Sequence, residues 1–280
     1  MTIVNLDQAA HWNSNEQVAR WVARQEQHDR MLAPFTGLLL DAAALSGGDQ
    51  VLDVGCGCGT TTLTAARMVA RGAATGVDLS VPMLARARER AAAAGVANVS
   101  FEHGDAQVYR FEPAFNAVIS RFGVMFFSDP AAAFANMRAA TRPGGRLAFV
   151  CWQPLAANEW LSVPFAALAE HVPMPEQAEH TAPGIFALAE ADRVRDLLAQ
   201  AGWEQVAVTP RAVQVPVGGG VLDDAVSFVR TGPLGRSMLD GADHATRERA
   251  VQSMRDALAR RAGPDGVWLG ASVWLVQATA

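Results

Sequence analysis

Positions 18, 21, 25, 28 and 32 fall at helical spacing near the start of the chain, and they hold Val18, Trp21, Gln25, His28 and Leu32. This predicts a helix over residues 16–32, which Asn15 can cap. A second helix is expected after Pro34, ending near Ser46-Gly47-Gly48. The texture then changes. A short apolar run over 50–55 ends in glycine and predicts a buried strand, followed by a helix over 60–71. Further strands are expected at 74–78, 99–103, 117–120 and 146–152. Between them lie a helix capped by Ser80 and stopped at Gly95, and another that opens at Asp129-Pro130.

Strands and helices alternating at this interval imply βαβ units and a parallel sheet covered on both faces. Such sheets bind ligands beyond the carboxyl ends of their strands, where the strand order switches. That rule places the site at Gly55, Asp78, Asp105 and Ser120. After Cys151 the pattern loosens. Residues 154–183 carry Trp160, Leu161, Phe165, Leu168 and several prolines, and read as an inserted cap. A helix over 192–202, a strand over 206–217, helices over 222–229 and 246–261, and a strand over 268–278 complete the reading. One domain over 1–280 is expected: helices in 1–48, a core in 49–152, a cap in 153–188, and a last part in 189–280 with a second insertion near 218–265.

Composition narrows the chemistry. Half the residues are hydrophobic and 18% are charged, which is globular and not disordered. A net charge of −5 argues against a general nucleic-acid surface. All 23 basic residues are Arg. The absence of Lys excludes Schiff-base catalysis, the phosphate lysine of P-loops and Lys-dependent proton relays. Cys56, Cys58 and Cys151 make no disulfide framework, so a reduced cytoplasm is expected. No leader pattern and no long apolar membrane span is expected either.

The central motif runs Asp53-Val54-Gly55-Cys56-Gly57-Cys58-Gly59-Thr60. A strand feeds a glycine-rich turn and then a helix, so backbone can approach a ligand and free N–H groups can meet an anion. Asp78 follows Gly59 by 19 positions at the end of the next strand. A carboxylate there can accept hydrogen bonds from both ribose hydroxyls. In His103-Gly104-Asp105-Ala106 the acid can bind the exocyclic amine of an adenine; a plain turn Asp is the alternative. Nicotinamide enzymes share the glycine turn and the ribose acid, but do not normally need an acid in the position of Asp53.

Together with Ser120-Arg121-Phe122-Gly123 and Arg142-Pro143-Gly144-Gly145, these motifs resemble class I S-adenosylmethionine-dependent methyltransferases. The subgroup is similar to the small-molecule enzymes that include the ubiquinone/menaquinone-biosynthesis C-methyltransferases. The resemblance implies an α/β fold with a Rossmann-like, doubly wound, seven-stranded, mostly parallel sheet and helical cap insertions. It implies that Gly55, Cys56, Gly57 and Gly59 hold the methionine part, with Asp53 on its amino group and Thr60 or Thr62 near its carboxylate. Asp78 and Leu79 would meet the ribose, Met83 would pack on the adenine, and Gly104, Asp105 and Ala106 would meet its edge. Ser120 would sit beside the methionine moiety, and Arg121 would face the acceptor. S-adenosyl-L-methionine is the implied cofactor and S-adenosyl-L-homocysteine its product.

The run after the fourth strand departs from the Pro-Pro-aromatic motif of nucleic-acid amino methyltransferases, and no Cys follows a Pro as in cytosine-C5 enzymes. A small-molecule acceptor is therefore expected, methylated at C, O or N, with no nucleic-acid partner and no metal. Methyl transfer needs alignment and water exclusion more than a base. His28 is a base candidate because it shares a helix face with Trp21 and Leu32; an ordinary core or surface histidine is the alternative. His171 and His180 are expected on the cap surface, Asp129 as a helix cap, and Tyr109 receives no role. Trp160, Leu161, Phe165, Met174, Ile185 and Phe186 give the cap an apolar lining, which suits an apolar acceptor. A non-catalytic cofactor-binding protein and a nicotinamide oxidoreductase are the other readings, and an oligomer is left open.

Overall fold

The computed structural model describes residues 2–112, 114–174 and 182–280; His180 lies outside them. The core strands are β1 (Gln50–Val54), β2 (Ala73–Asp78), β3 (Val99–His103), β4 (Phe115–Arg121) and β5 (Thr141–Trp152). Two long strands follow, β6 (Glu204–Pro216) and, after the two-residue β7 (Ala262–Gly263), β8 (Gly266–Thr279). The sheet order is β3-β2-β1-β4-β5-β8-β6, with β7 pairing only with β8. The first five strands pair in parallel, and β8 runs antiparallel to both β5 and β6. This is the expected doubly wound, mostly parallel α/β sheet, with β7 as a small addition.

Consecutive residues of β1, β4 and β5 are buried, so both faces of the sheet centre are covered. The helix α4 (Thr60–Met68) packs on β1 and β2, and α5 (Val81–Ala93) on β3. Ser80 caps α5 by accepting from the Met83 N–H, and Asp129 caps α6 (Pro130–Ala140) by accepting from Ala132. The order reverses between β1 and β4. There Gly55 and Gly123 press backbone to backbone: a Cβ on Gly55 would lie 2.7 Å from the Gly123 Cα. The Ser120 hydroxyl pins the same junction, donating to the Val54 carbonyl at 2.7 Å and accepting from the Gly123 N–H at 3.2 Å.

The leading helices differ from expectation. Residues 6–13 form a helix, α1 (Leu6–Asn13), that buries none of its residues and so leaves no apolar period to read. The next helix, α2 (Asn15–Ala23), breaks at Arg24, and α3 (Gln25–Ala43) then runs straight through Pro34. Proline forfeits one intrahelical bond. Burial of Met31, Phe35, Leu39 and Leu40 against β4 and β5 on either side of it outweighs that loss.

The cap holds α7 (Glu159–Ala169), and α8 (Ala191–Gln200) returns the chain to the sheet. The second insertion contains α9 (Leu222–Thr231), the unanticipated α10 (Pro233–Leu239) and α11 (His244–Ala259). Among the described residues, no helix is long and apolar enough to cross a membrane.

Candidate active site

Beyond the carboxyl ends of β1 to β4 lies a cavity of about 770 Å³. Its first part is the glycine loop. Gly55, Gly57 and Gly59 have φ of 68°, 53° and 80°, a region that side chains resist. Gly57 faces open space, since a Cβ there would meet only the Met83 sulfur, at 3.8 Å. The Cys56 thiol points away from the cavity toward Gly76, within a buried apolar cluster. Burial raises the Cys56 thiol well above its ordinary range and the Cys58 thiol to about 11, so both stay neutral.

Asp78 grips the loop. One carboxylate oxygen accepts from the Gly57 N–H at 2.7 Å and the other from Ser80 at 2.8 Å. Two of its roughly four lone-pair sites remain for outside donors. Burial pushes its pKa up, while the Ser80 and Gly57 N–H groups oppose the shift. Asp53 stands behind the loop, 1% exposed, and accepts from the Thr62 hydroxyl at 2.6 Å. Burial raises Asp53 to about 7, against that hydrogen bond and the nearby Arg121.

Asp105 is engaged otherwise than expected. The Val4 and Asn5 N–H groups both donate to its Oδ2 at 2.9 Å, and Gln107 fills its other positions. Its carboxylate therefore clasps the strap that leads into α1, leaving no lone pair free for an adenine amine. Asn5 and Asn13 extend the clasp to the Phe126 and Leu79 carbonyls, and Asn13 also accepts from Val81. The Ala106 N–H, by contrast, makes no hydrogen bond to a described residue, and Ala106 lines the cavity.

Toward α3 the cavity becomes aromatic. The His28 ring stacks on Trp21, with centroids 4.0 Å apart at 14°, and meets the edge of Phe228. Among the described residues its Nδ1 is buried without a hydrogen-bond partner. Burial first, then the Arg24 charge, lowers His28 to about 4, so it is neutral at pH 7. Phe122, held at φ 67°, stacks on Trp152 at 4.3 Å, and Trp160 tilts against the same ring. A non-glycine residue in this conformation is strained. Between loop and helix, Asp29 gathers Arg90 at 3.0 Å, Arg121 at 3.6 Å, the Thr60 hydroxyl at 2.6 Å and the Gln25 amide. Arg121 also donates to the Thr36 hydroxyl at 2.8 Å.

A family profile described as "Methyltransferase domain" matches residues 51–145. An uncharacterised protein of Mycobacterium tuberculosis (strain ATCC 25618 / H37Rv) is 35% identical over 125 residues, 44% of each chain. Aklanonic acid methyltransferase DauC of Streptomyces sp. (strain C5) is 31% identical over 148 residues, 50% of this chain and 67% of that protein. The chain belongs to the class I S-adenosylmethionine-dependent methyltransferases. It spans under half the length of the mycobacterial relative, at 44%. Haemonchus contortus phosphoethanolamine N-methyltransferase 2, solved with S-adenosyl-L-methionine, shares the fold at TM-score 0.60 and 18% identity, over 99% of this chain and 60% of that one.

Of the residues expected at the site, Gly55, Cys56, Gly57, Thr60, Asp78, Leu79, Met83, Gly104, Asp105 and Ala106 line this cavity together, with His28 and Arg121. Asp53, Gly59, Thr62 and Ser120 do not line it. Two of these correct the expected roles: the Thr62 hydroxyl is spent on Asp53, and Ser120 holds the strand junction. The Thr60 hydroxyl likewise serves Asp29, and Arg121 reaches back to α3. Of the cap residues, Trp160, Leu161, Phe165 and Ile185 line the cavity, whereas Met174 is an exposed surface residue and Phe186 packs on the core. The sequence reading missed Asn5, Arg24, Asp29, Phe228 and Leu234. Of these, Arg24 and Asp29 stood beside singled-out positions, Gln25 and His28.

Proposed function

We propose that this protein transfers the methyl group of S-adenosyl-L-methionine to a small, largely apolar acceptor at carbon, oxygen or nitrogen. The observation that carries the reading is one shared hollow: Asp78, the positive-φ glycine loop and Ala106 line the same cavity as the Trp21–His28 and Phe122–Trp152 stacks. The name of DauC, a methyltransferase for aklanonic acid, supports a small-molecule acceptor. Buried, unpaired Cys56, Cys58 and Cys151 support a reduced, cytoplasmic setting.

When bound, S-adenosylmethionine supplies a methyl group whose bond to the sulfonium sulfur breaks, the electron pair staying on sulfur, as its bond to the acceptor forms. The residues present fit that group. Asp78 has lone pairs left for ribose hydroxyls, the Ala106 N–H suits an adenine nitrogen, and Met83 offers an apolar surface beside the loop. Asp53, in its ionised form, attracts an ammonium group through the loop backbone. The aromatic stacks exclude water and orient a flat acceptor. His28, which lines the cavity and is neutral at pH 7, is the candidate to take the proton of the acceptor nucleophile.

Calorimetry with S-adenosylhomocysteine tests the reading. Hydrogen bonds to a charged group contribute about 1.5–3 kcal/mol each, so Asp78→Ala should weaken binding at least tenfold. Unchanged affinity in that variant would contradict the ribose assignment.

A further inference from the structure

We infer that the aromatic end of the cavity beside α3 receives a planar aromatic acid whose anionic group pairs with Arg24 while another atom of the molecule is methylated. The inference rests on the methyltransferase reading and names the substrate class of that site. Arg24 occupies the break between α2 and α3 and is half-buried in the cavity wall. One guanidinium N–H donates to the Thr231 hydroxyl at 2.7 Å, at the end of α9. Thr231 is neutral, and among the described residues no carboxylate forms an ion pair with Arg24. The contrast lies one turn away, where Arg90 and Arg121 share Asp29. Asp7 also lines the cavity, but as a solvent-exposed residue of α1.

A partly desolvated cation that no described carboxylate pairs with favours an anionic partner, and its planar fork matches a carboxylate in bidentate fashion. The surroundings say what the carboxylate is attached to. Trp21, His28, Phe228 and Leu234 line the same cavity, with the Trp21 and His28 rings nearly parallel. These surfaces suit a flat, apolar body.

The helix sets the order of parts. The His28 N–H donates to the Arg24 carbonyl, so the two residues stand one turn apart on α3. Asp29 bonds Thr60 and thereby fixes the level of the glycine loop. Arg24 is thus about 6 Å, four residues at a helical rise of about 1.5 Å each, beyond the His28 level along the axis. The acid group ends at the far wall, and the reacting atom lies nearer the methyl donor beside His28. The Arg24 charge that lowers His28 basicity also draws an anion into this end of the cavity.

The test uses protein saturated with S-adenosylhomocysteine and two flat probes of one shape, 2-naphthoate and 2-naphthamide, titrated by tryptophan fluorescence and calorimetry. The carboxylate should bind at least tenfold more tightly than the amide. Arg24→Gln should erase that preference and Arg24→Lys should keep part of it, with S-adenosylhomocysteine affinity within twofold of wild type in both. Equal affinity for the two probes, a preference that survives Arg24→Gln, or no binding of either probe to the saturated wild-type protein overturns the inference. Failure of the wild-type protein to bind S-adenosylhomocysteine strikes the methyltransferase reading itself, and the inference falls with it.

Discussion

Asp53 is the residue whose environment most sharply constrains behaviour in solution. Burial holds its carboxyl near 7, so at pH 6 most of the folded protein carries it protonated. An ammonium group selects the ionised form. Affinity for S-adenosylhomocysteine should therefore rise by up to about tenfold per pH unit below pH 7 and flatten above it. Calorimetry from pH 5.5 to 7.5 measures the slope, and Asp53→Asn, which still accepts from Thr62, should remove it. A flat profile in the wild type would refute the pairing. His28 gives the complementary test, since its low pKa leaves it neutral over the same range. General bases contribute about 10²-fold or more, so His28→Gln should lower kcat by that order and leave S-adenosylhomocysteine affinity within twofold. An unchanged kcat would make His28 a packing residue for Trp21.

At the scale of elements, α1 buries none of its residues fully, and the strap and α1 are held by hydrogen bonds together with the edge contacts of Trp12 on Trp21 and Phe126. The double variant Asn5→Ala/Asn13→Ala removes the bonds to Phe126, Leu79 and Val81. At about 1 kcal/mol net each, the three lost bonds should destabilise the strap by about 3 kcal/mol. The dissociation rate of S-adenosylhomocysteine should rise about tenfold in stopped-flow measurements; an unaltered rate would show that the strap does not retain the ligand. These elements also mark where sequence reading stops. β1 to β5 were legible as short apolar runs, and β1 and β2 also close on Gly55 and Asp78. Pro34 misled because a local helix rule yields to burial of Phe35 and Leu39. The break at Arg24 carries no Gly or Pro to announce it. Phe228 and Leu234 sit on ordinary amphipathic helices, and nothing in their spacing points across the fold to His28.

Seen whole, the cavity draws its walls from four stretches far apart in the chain: the leading helices, the sheet ends, the cap and the α9–α10 turn. Ligands should leave a pattern that follows this division. In hydrogen-exchange experiments, S-adenosylhomocysteine should slow amides in 4–13, 55–61 and 104–107. Adding 2-naphthoate should further slow 24–32 and 228–236. Uniform slowing throughout, or none in the α9–α10 region, would contradict a two-lobed site. The strap's latch on Asp105 has its own kinetic meaning. The same acidic residue that anchors the leading segment also lines the hollow, so a ligand seated against it should slow hydrogen exchange at the Val4 and Asn5 amides, and loosening that latch should speed the ligand's escape.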